Sequence, residues 1–278
     1  MNQNIKIILW SLAAALGGFL FGFDTAVISG VEQTIQKLWG LNVFEHGITV
    51  SIALIGTVFG SLIGGIPTEK YGRRTTLFII AVCYLLSSIG TAYAPDWSVF
   101  LIFRLLGGIG VGVSSVAAPM YISEIAPADK RGRLVAMFQF NIVFGILMAY
   151  LSNYLLGNSG ENAWRMMLGV QAIPSLLFVA AVLFIPESPR WLILKKGDTT
   201  TARQILDTID QTTTESIIVA IQKKVPNNNS FQLSSLFKAA YRKPVVLAVL
   251  FALFNQVSGI NAIIYYAPRI FEMACSFS

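Results

Sequence analysis

Charged residues are scarce in this 278-residue sequence. Asp, Glu, Lys and Arg make up 12% of it and hydrophobic residues 55%, whereas a soluble domain carries about 25% charged residues. This shortage excludes an ordinary soluble protein and predicts an all-α polytopic membrane protein. The formal charge of +6 would suit a nucleic-acid partner, but the cations lie between apolar runs, and we expect no nucleic-acid binding.

Histidine and cysteine are also rare. His46 is the single histidine, which excludes a zinc cluster or a His-based catalytic triad. Cys83 and Cys275 are the two cysteines, and they form no pairing or metal-ligand pattern. Because the sequence also shows no nucleophile–base set and no phosphate-binding loop, we expect no enzyme, no cofactor and no metal site.

Long apolar runs are what the sequence does contain. A run of ~20 apolar residues crosses the ~30 Å hydrocarbon core of a bilayer as a helix. The first run begins like a secretory signal but extends well past the ~7–15 residues of a signal's apolar region, so it predicts an uncleaved helix. Seven spans are predicted, over residues 7–31, 48–67, 76–94, 98–122, 134–157, 166–186 and 244–270.

The lysines and arginines predict the orientation of these spans. With the N-terminus in the cytoplasm, sixteen of the twenty lie in segments on the cytoplasmic side, as the positive-inside rule requires. Arg104 lies within the fourth span. The three on the outer side are Lys37, Arg165 and Arg269.

Residues 187–243 form the one predicted soluble piece. Asp198 is placed to cap a short helix over residues 201–209, and residues 215–224 have the apolar spacing of another. A third is predicted over residues 231–241. The segment is therefore interpreted as two or three amphipathic helices on the cytoplasmic surface or, alternatively, as a disordered linker.

Two opposite charges lie inside predicted spans. Asp24 is six residues before Gly30 at the outer end of the first span, and Arg104 is six residues after Ser98 at the outer end of the fourth. At 1.5 Å per residue both are ~9 Å from the outer end, and isolated charges at such depths are costly. The pair is interpreted as a fixed structural salt bridge or as a proton switch, in which Asp24 titrates and Arg104 keeps its charge.

Two cytoplasmic loops share a pattern of proline, acid and arginine sixty positions apart, over residues 67–73 and 127–133. Together with Glu124 and with Glu187 and Arg190 after Pro186, these loops form acid–arginine sets on one membrane face. Such sets are typical of a gate that closes that face and opens when helices move. The candidate gate residues are Gly65, Glu69, Gly72, Arg73, Arg74, Glu124, Arg131, Arg133, Glu187 and Arg190.

Several ordered motifs resemble those of the sugar porters of the major facilitator superfamily, of the bacterial proton-coupled type. The resemblance covers nearly the whole chain, to about Ala274. It implies the amino-terminal half, plus the seventh helix, of a fold with twelve helices in two six-helix bundles. The motifs are Gly65-x-x-x-Glu69-Lys70-x-Gly72-Arg73-Arg74, Arg104 with Gly107-Gly108-x-Gly110-x-Gly112, Pro119-Met120-Tyr121-Ile122-Ser123-Glu124, Pro186-Glu187-Ser188-Pro189-Arg190-Trp191 and Asn255-Gln256-x-Ser258-Gly259-Ile260-Asn261.

The resemblance implies transport of a monosaccharide, pentose or hexose, by alternating access across the bacterial inner membrane. It associates Asp24 and Arg104 with proton symport. A facilitative carrier with a structural pair, and a non-transporting sugar sensor or subunit, are the alternatives. Amides both donate and accept, and so suit sugar hydroxyls, although an interhelical hydrogen bond is the alternative for each. The implied sugar contacts are Gln139, Gln171, Asn255, Gln256, Asn261 and Tyr265, with Tyr266 nearby.

Three positions depart from the usual pattern of the family. Gln171 stands where some proton-coupled members carry a second carboxylate. Asn255-Gln256 stands where two glutamines are frequent, and Glu69 replaces a more usual aspartate or asparagine. These departures bear on proton coupling, on the preferred sugar and on the loop, respectively.

The implied organisation is a six-helix bundle over residues 1–186, the cytoplasmic segment 187–243, the seventh transmembrane helix 244–270 and a tail 271–278. Where the family continues into five more helices, this chain has Cys275-Ser276-Phe277-Ser278. The C-terminal helices are therefore expected to be missing and the tail to be truncated, out-of-frame sequence. The expected partners are a sugar, a proton, the lipid bilayer and a companion C-terminal half.

Overall fold

The computed structural model describes residues 3–223 and 239–276, and the regular elements in those ranges are helices. The chain divides into two compact units, Met1–Gln222 and Lys223–Ser278. The helix predicted over residues 231–241 falls largely outside the described ranges, as do residues 277 and 278.

The first unit contains twelve helices among its described residues. A 3₁₀ turn follows the first helix at Ile28–Gly30, and a π-helical turn follows the tenth at Leu192–Lys196. The helices are α1 (Gln3–Val27), α2 (Glu32–Leu38), α3 (Val43–Ile63), α4 (Gly65–Tyr71), α5 (Arg73–Ala92), α6 (Trp97–Ile125), α7 (Arg131–Leu156), α8 (Ala163–Gly169), α9 (Ala172–Leu183), α10 (Pro189–Trp191), α11 (Thr199–Ile209) and α12 (Thr214–Lys223).

Seven helical segments of the described chain are long and apolar enough to cross a membrane. The predicted all-α class and the predicted number of spans are therefore confirmed. The second span begins earlier than predicted because Asn42 and Glu45 form a capping box at the start of α3. The segments are Ile5–Gly30, Val43–Ile63, Arg73–Ala92, Trp97–Ile125, Arg131–Leu156, Ala163–Leu183 and Arg242–Cys275.

The sixth span is interrupted where α8 gives way to α9. Pro174 has no N–H to donate to the carbonyl of Val170, which instead accepts from the backbone N of Ile173 at 3.1 Å. Gln171 lies at this joint, and its carbonyl accepts from the Ser175 hydroxyl at 2.8 Å. The interruption places the Gln171 side chain in the interior of the unit, where it is 2% exposed.

Close backbone contacts hold the spans of the first unit together. A Cβ at Gly22 of α1 would overlap the carbonyl oxygen of Ile142 in α7, and one at Gly108 of α6 would overlap the carbonyl oxygen of Ala53 in α3. Small residues at such points let membrane helices approach closely, since lipid provides no hydrophobic force between helices. The buried core lies mainly on α1, α5, α6, α7 and α9, with Leu20, Tyr84, Tyr121, Phe138 and Phe178 among its members.

The segment after the sixth span folds against the N-terminal end of α1. Asp198 accepts from the backbone N of Thr201 at 2.9 Å, so it caps α11. Hydrogen bonds from Thr201 also lower the pKa of the Asp198 carboxyl. A small apolar cluster joins this segment, and Trp10 of α1 packs against it; its members are Trp191, Leu192, Ile193, Ala202, Ile205, Leu206 and Ile218.

The second unit contains α13 (Ala239–Val257) and α14 (Ile260–Ser276). The single helix predicted over residues 244–270 is therefore two helices. Gly259 between them has a φ of +73°, a left-handed conformation that glycine adopts without the steric cost of a Cβ.

Candidate functional site

Asp24 and Arg104 meet in the interior of the first unit. Asp24 lies in the last turn of α1 and Arg104 in the second turn of α6, and they are 2% and 1% exposed. Arg104 Nη1 donates to Asp24 Oδ1 at 3.0 Å. The structure thus brings together the two charges that the sequence places at one depth, and each neutralises the other where an isolated charge would be costly.

The guanidinium of Arg104 also approaches the backbone carbonyl of Asp24. Nη1 and Nη2 of Arg104 both lie 3.4 Å from the Asp24 carbonyl oxygen, and within the described residues Nε has no hydrogen-bond partner. A Cβ at Gly107, one turn after Arg104, would overlap Ser87 Oγ and would lie 3.5 Å from Asp24 Oδ1, so α5 and α6 pack closely beside the carboxylate. Arginine stays charged at any physiological pH, so the carboxylate is the member of the pair that can gain a proton.

Gln171 is the third member of this site. Its Nε2 donates to Asp24 Oδ1 at 3.4 Å, a long hydrogen bond. Gln171 was expected from the family resemblance as a sugar contact. In the structure its side chain adjoins the ion pair, and the joint between α8 and α9 directs it there; the sugar contact stays a prediction. Sequence spacing alone gave no signal of this contact.

The other expected sugar contacts lie in both units. Gln139 is an exposed residue of α7 in the first unit. In the second unit, Gln256 of α13 accepts through Oε1 a 2.7 Å hydrogen bond from Asn261 Nδ2 of α14. A hydrogen bond between helices is the alternative to a sugar contact that the sequence leaves open for each amide. Asn255 is an exposed residue of α13, and Tyr265 and Tyr266 belong to α14.

A second cluster of charges lies where α4, α5, α6 and α10 meet. Arg73 donates to both carboxylate oxygens of Glu124, from Nε at 2.9 Å and from Nη2 at 3.0 Å. Ser188 Oγ donates to the same carboxylate at 2.5 Å, and Arg73 Nη1 donates to the Thr68 carbonyl at 3.1 Å. This bidentate, nearly buried pair connects α5 firmly to α6.

Glu187 completes this cluster at the start of α5. Its Oε1 accepts from the backbone N of Arg73 at 2.8 Å, of Arg74 at 3.0 Å and of Ser188 at 2.8 Å. A carboxylate at a helix N-terminus satisfies free N–H groups and complements the helix dipole. Gly72 permits the approach, because its φ is +95° and a Cβ there would overlap the Glu187 carboxylate.

Of the remaining candidate gate residues, Arg74 and Glu69 form hydrogen bonds to neighbouring helices. Arg74 donates from Nη2 to the Leu183 carbonyl at 2.7 Å, at the end of α9. Glu69 contributes its carbonyl, which accepts from Trp191 Nε1 at 2.8 Å. Gly65 at the start of α4 is half-buried, although added atoms there would meet open space, and the side chains of Arg131, Arg133 and Arg190 are exposed.

One buried contact between a histidine and a glutamate was not anticipated. His46 Nε2 lies 2.7 Å from Glu32 Oε2, and both side chains are buried. Glu32 is on α2 and His46 is on α3. Neither helical periodicity nor any motif indicates this contact, since α2 is a short helix after a 3₁₀ turn.

The chain is similar to known transport proteins. The family model described as "Sugar (and other) transporter" matches residues 10–275. The arabinose-proton symporter of Bacillus subtilis is 40% identical over 274 residues, covering 96% of this chain and 59% of that protein. The D-xylose-proton symporter of Escherichia coli is 37% identical over 294 residues, covering 94% and 60%.

A solved structure gives the same result. The partially occluded, inward-open conformation of the xylose transporter XylE from E. coli superimposes with a TM-score of 0.84 at 35% identity. The match covers 95% of this chain and 67% of that one. The chain spans about three fifths of the length of the two curated relatives named above.

Proposed function

The chain belongs to the sugar transporter family of the major facilitator superfamily, and from that membership we propose that it takes part in proton-driven import of a pentose or hexose. The family-model match, the likeness to a solved transporter structure and the seven apolar helices of the described chain confirm the family, the partial major-facilitator fold and the multi-pass membrane character that the motifs predicted. Relatives named as arabinose-proton and D-xylose-proton symporters support the coupling to protons.

The observation that carries the proposal is the buried ion pair of Asp24 and Arg104. While Asp24 is ionised, it binds the guanidinium at 3.0 Å and joins α1 to α6. Protonation neutralises the carboxylate and weakens that link, because the attraction to the guanidinium is lost. A link that depends on one proton lets proton binding shift the balance between two arrangements of the helices.

Transport then follows from alternating access. A proton enters at Asp24 from the outer side, the helices rearrange, and the proton leaves to the cytoplasm as the ion pair reforms. The cluster of Arg73, Glu124 and Glu187 is the gate that closes the cytoplasmic side, because it ties α5, α6 and α10 together when intact.

We propose that amide side chains and a tyrosine bind the sugar. Amide groups pair with hydroxyls in both directions, and a site built to hydrogen-bond hydroxyls rejects molecules that lack them. A companion segment corresponding to the rest of the relatives' length would complete this site. The proposed contacts are Gln139, Gln171, Asn255, Gln256, Asn261 and Tyr265.

The test is uptake of radiolabelled arabinose, xylose and glucose into membrane vesicles. The chain is expressed alone and joined to the remaining segment of the B. subtilis arabinose-proton symporter, with and without an inward proton gradient. We expect gradient-driven accumulation of at least one sugar. In Asp24→Asn, accumulation is expected to fall to the level without a gradient while exchange of sugar across the membrane continues, because the amide cannot carry the proton.

The matched control is Asp207→Asn, which makes the same chemical change on α11 of the cytoplasmic segment. We expect it to accumulate sugar at the original rate. Uphill accumulation that survives in Asp24→Asn would show that coupling to protons does not depend on Asp24, whereas uptake without accumulation in the unchanged chain would indicate a facilitative carrier with a structural ion pair. No uptake by either form of the chain would contradict transport itself.

A further inference from the structure

Three buried hydroxyls in the first unit, those of Tyr84, Ser114 and Ser11, lack the backbone hydrogen bond that neighbouring hydroxyls form. Ser87, Ser88 and Thr91 of α5 each donate to a backbone carbonyl, as buried hydroxyls in helices usually do. The exceptions are fully buried and have no backbone hydrogen-bond partner among the described residues; they are Tyr84 of α5, Ser114 of α6 and Ser11 of α1.

The hydroxyls of Tyr84 and Ser114 are buried in the interior of the first unit, as Asp24 is. They face each other, and the Tyr84 hydroxyl lies within electrostatic range of the Asp24 carboxylate. One hydrogen bond between two hydroxyls still leaves one O–H without an acceptor, and a buried donor of that kind costs free energy. Phenylalanine and alanine would pack in these places without that cost, so the hydroxyls call for a reason other than packing.

Their depths form a series along α1. Ser114 lies against Gly17, because a Cβ on Gly17 would be 2.5 Å from Ser114 Oγ. Gly17 is seven residues before Asp24, so Ser114 lies ~10 Å nearer the N-terminal end of α1. Ser11 is six residues further, another ~9 Å. Tyr84 is one helical turn before Ser87, which borders Gly107 beside Asp24.

The backbone packs closely around this series. A Cβ on Gly17 would overlap Ser114 Oγ, and a Cβ on Gly110 of α6 would lie 3.9 Å from the Tyr84 ring. The three hydroxyls belong to α1, α5 and α6 of the first unit.

We propose that Tyr84, Ser114 and Ser11 form a proton route from Asp24 to the cytoplasm through the interior of the first unit, an inference that rests on the proposed proton symport. The proton leaves the carboxylic acid of Asp24, which becomes a carboxylate. Each hydroxyl, with water bridging the longer gaps, accepts a proton on its oxygen and passes its own proton onward. The hydroxyls end unchanged, and the proton ends on cytoplasmic water.

The route is tested by removing single hydroxyls. In Tyr84→Phe and Ser114→Ala, we expect gradient-driven sugar uptake to slow by about tenfold or more, since a relay group is lost. Exchange of sugar without a gradient is expected to keep its rate, because exchange releases no proton. The double variant is expected to be no slower than the slower single variant, since both groups serve one route.

Two matched controls separate the route from packing. Tyr121→Phe removes a buried phenol that donates to the Pro186 carbonyl, and Ser88→Ala removes a buried hydroxyl that donates to the Leu85 carbonyl. Both are expected to transport normally. Equal slowing in these controls, or unchanged gradient-driven uptake in Tyr84→Phe, would overturn the route, while loss of coupling in Asp24→Asn would still uphold the symport.

A second measurement needs no transport. After a pH jump, infrared spectroscopy of the purified chain follows the carboxylic acid band that disappears in Asp24→Asn. We expect loss of this band to slow by about tenfold in Tyr84→Phe and to keep its rate in Tyr121→Phe. An equal rate in both variants, or no band from Asp24, would contradict the route whether or not sugar is transported.

Discussion

At the scale of single residues, the neighbours of Asp24 Oδ1 differ in charge. Arg104 brings a full positive charge at 3.0 Å, and Gln171 brings an uncharged amide at 3.4 Å. The amide supports the carboxylate without adding a second site for a proton. In the proposed symport, one carboxylate beside one guanidinium therefore exchanges a single proton at this site.

A second carboxylate at position 171 tests this reasoning. In Gln171→Glu, two acids lie within a few ångströms of each other and of one guanidinium, and like charges so close favour sharing one proton. We expect the pH of half-maximal gradient-driven uptake to rise, by about one unit or more. Gln171→Leu, which removes the hydrogen bond without adding charge, is the control. An unchanged pH profile in Gln171→Glu would show that residue 171 does not influence the carboxylate.

The sequence alone could place Asp24 and Arg104 but not Gln171. Depth within a span follows from counting residues, and two buried charges of opposite sign have few other partners to meet. The direction of the Gln171 side chain depends on the break before Pro174, where the helix changes its hydrogen bonding. The Ser188 contact with Glu124 likewise needs the start of α10 to meet the end of α6 in space, which no spacing along the chain specifies.

At the scale of elements, one ion pair joins the start of α5 to the end of α6. Arg73 and Glu124 have side chains 9% and 8% exposed, and their contact is bidentate. Losing one partner of such a pair leaves the other charge without compensation, which costs about 3–5 kcal/mol. The pair between Arg203 and Glu215 is 51% and 66% exposed, and solvent screens it.

These two pairs give matched variants. We expect Glu124→Gln to lower the free energy of unfolding of the purified chain by about 3 kcal/mol. Glu215→Gln is expected to change it by less than about 1 kcal/mol. Thermal and denaturant unfolding in detergent measure both. Equal stability of the two variants would mean that the contact with Arg73 does not hold α5 against α6.

Helix existence was predictable from apolar content, and helix continuity was not. Runs of about twenty apolar residues locate the seven spans because the bilayer demands that length. The same content does not reveal that Gly259 turns left-handed between α13 and α14. Glycine is common inside membrane helices as a packing residue, so its presence does not by itself indicate a break.

At the scale of the whole molecule, the first unit has two chemically different ends. One end carries the ion-pair cluster of Arg73 and Glu124 and the segment containing α11 and α12. Trp10 packs against the apolar cluster of that segment, so the N-terminal end of α1 lies on the same side. Most of the lysines and arginines belong to this end, and we propose on that basis that it faces the cytoplasm.

Labelling of single cysteines tests this orientation in the intact chain. With Cys83 and Cys275 replaced by serine, Glu161→Cys between α7 and α8 and Gln211→Cys between α11 and α12 report opposite ends; both sites are exposed. We expect a membrane-impermeant maleimide to label Glu161→Cys in intact cells, and to label Gln211→Cys only after the membrane is opened. Labelling of both variants in opened cells is the control for reactivity. The reverse pattern would invert the topology, and a proton route toward Ser11 would then lead outward.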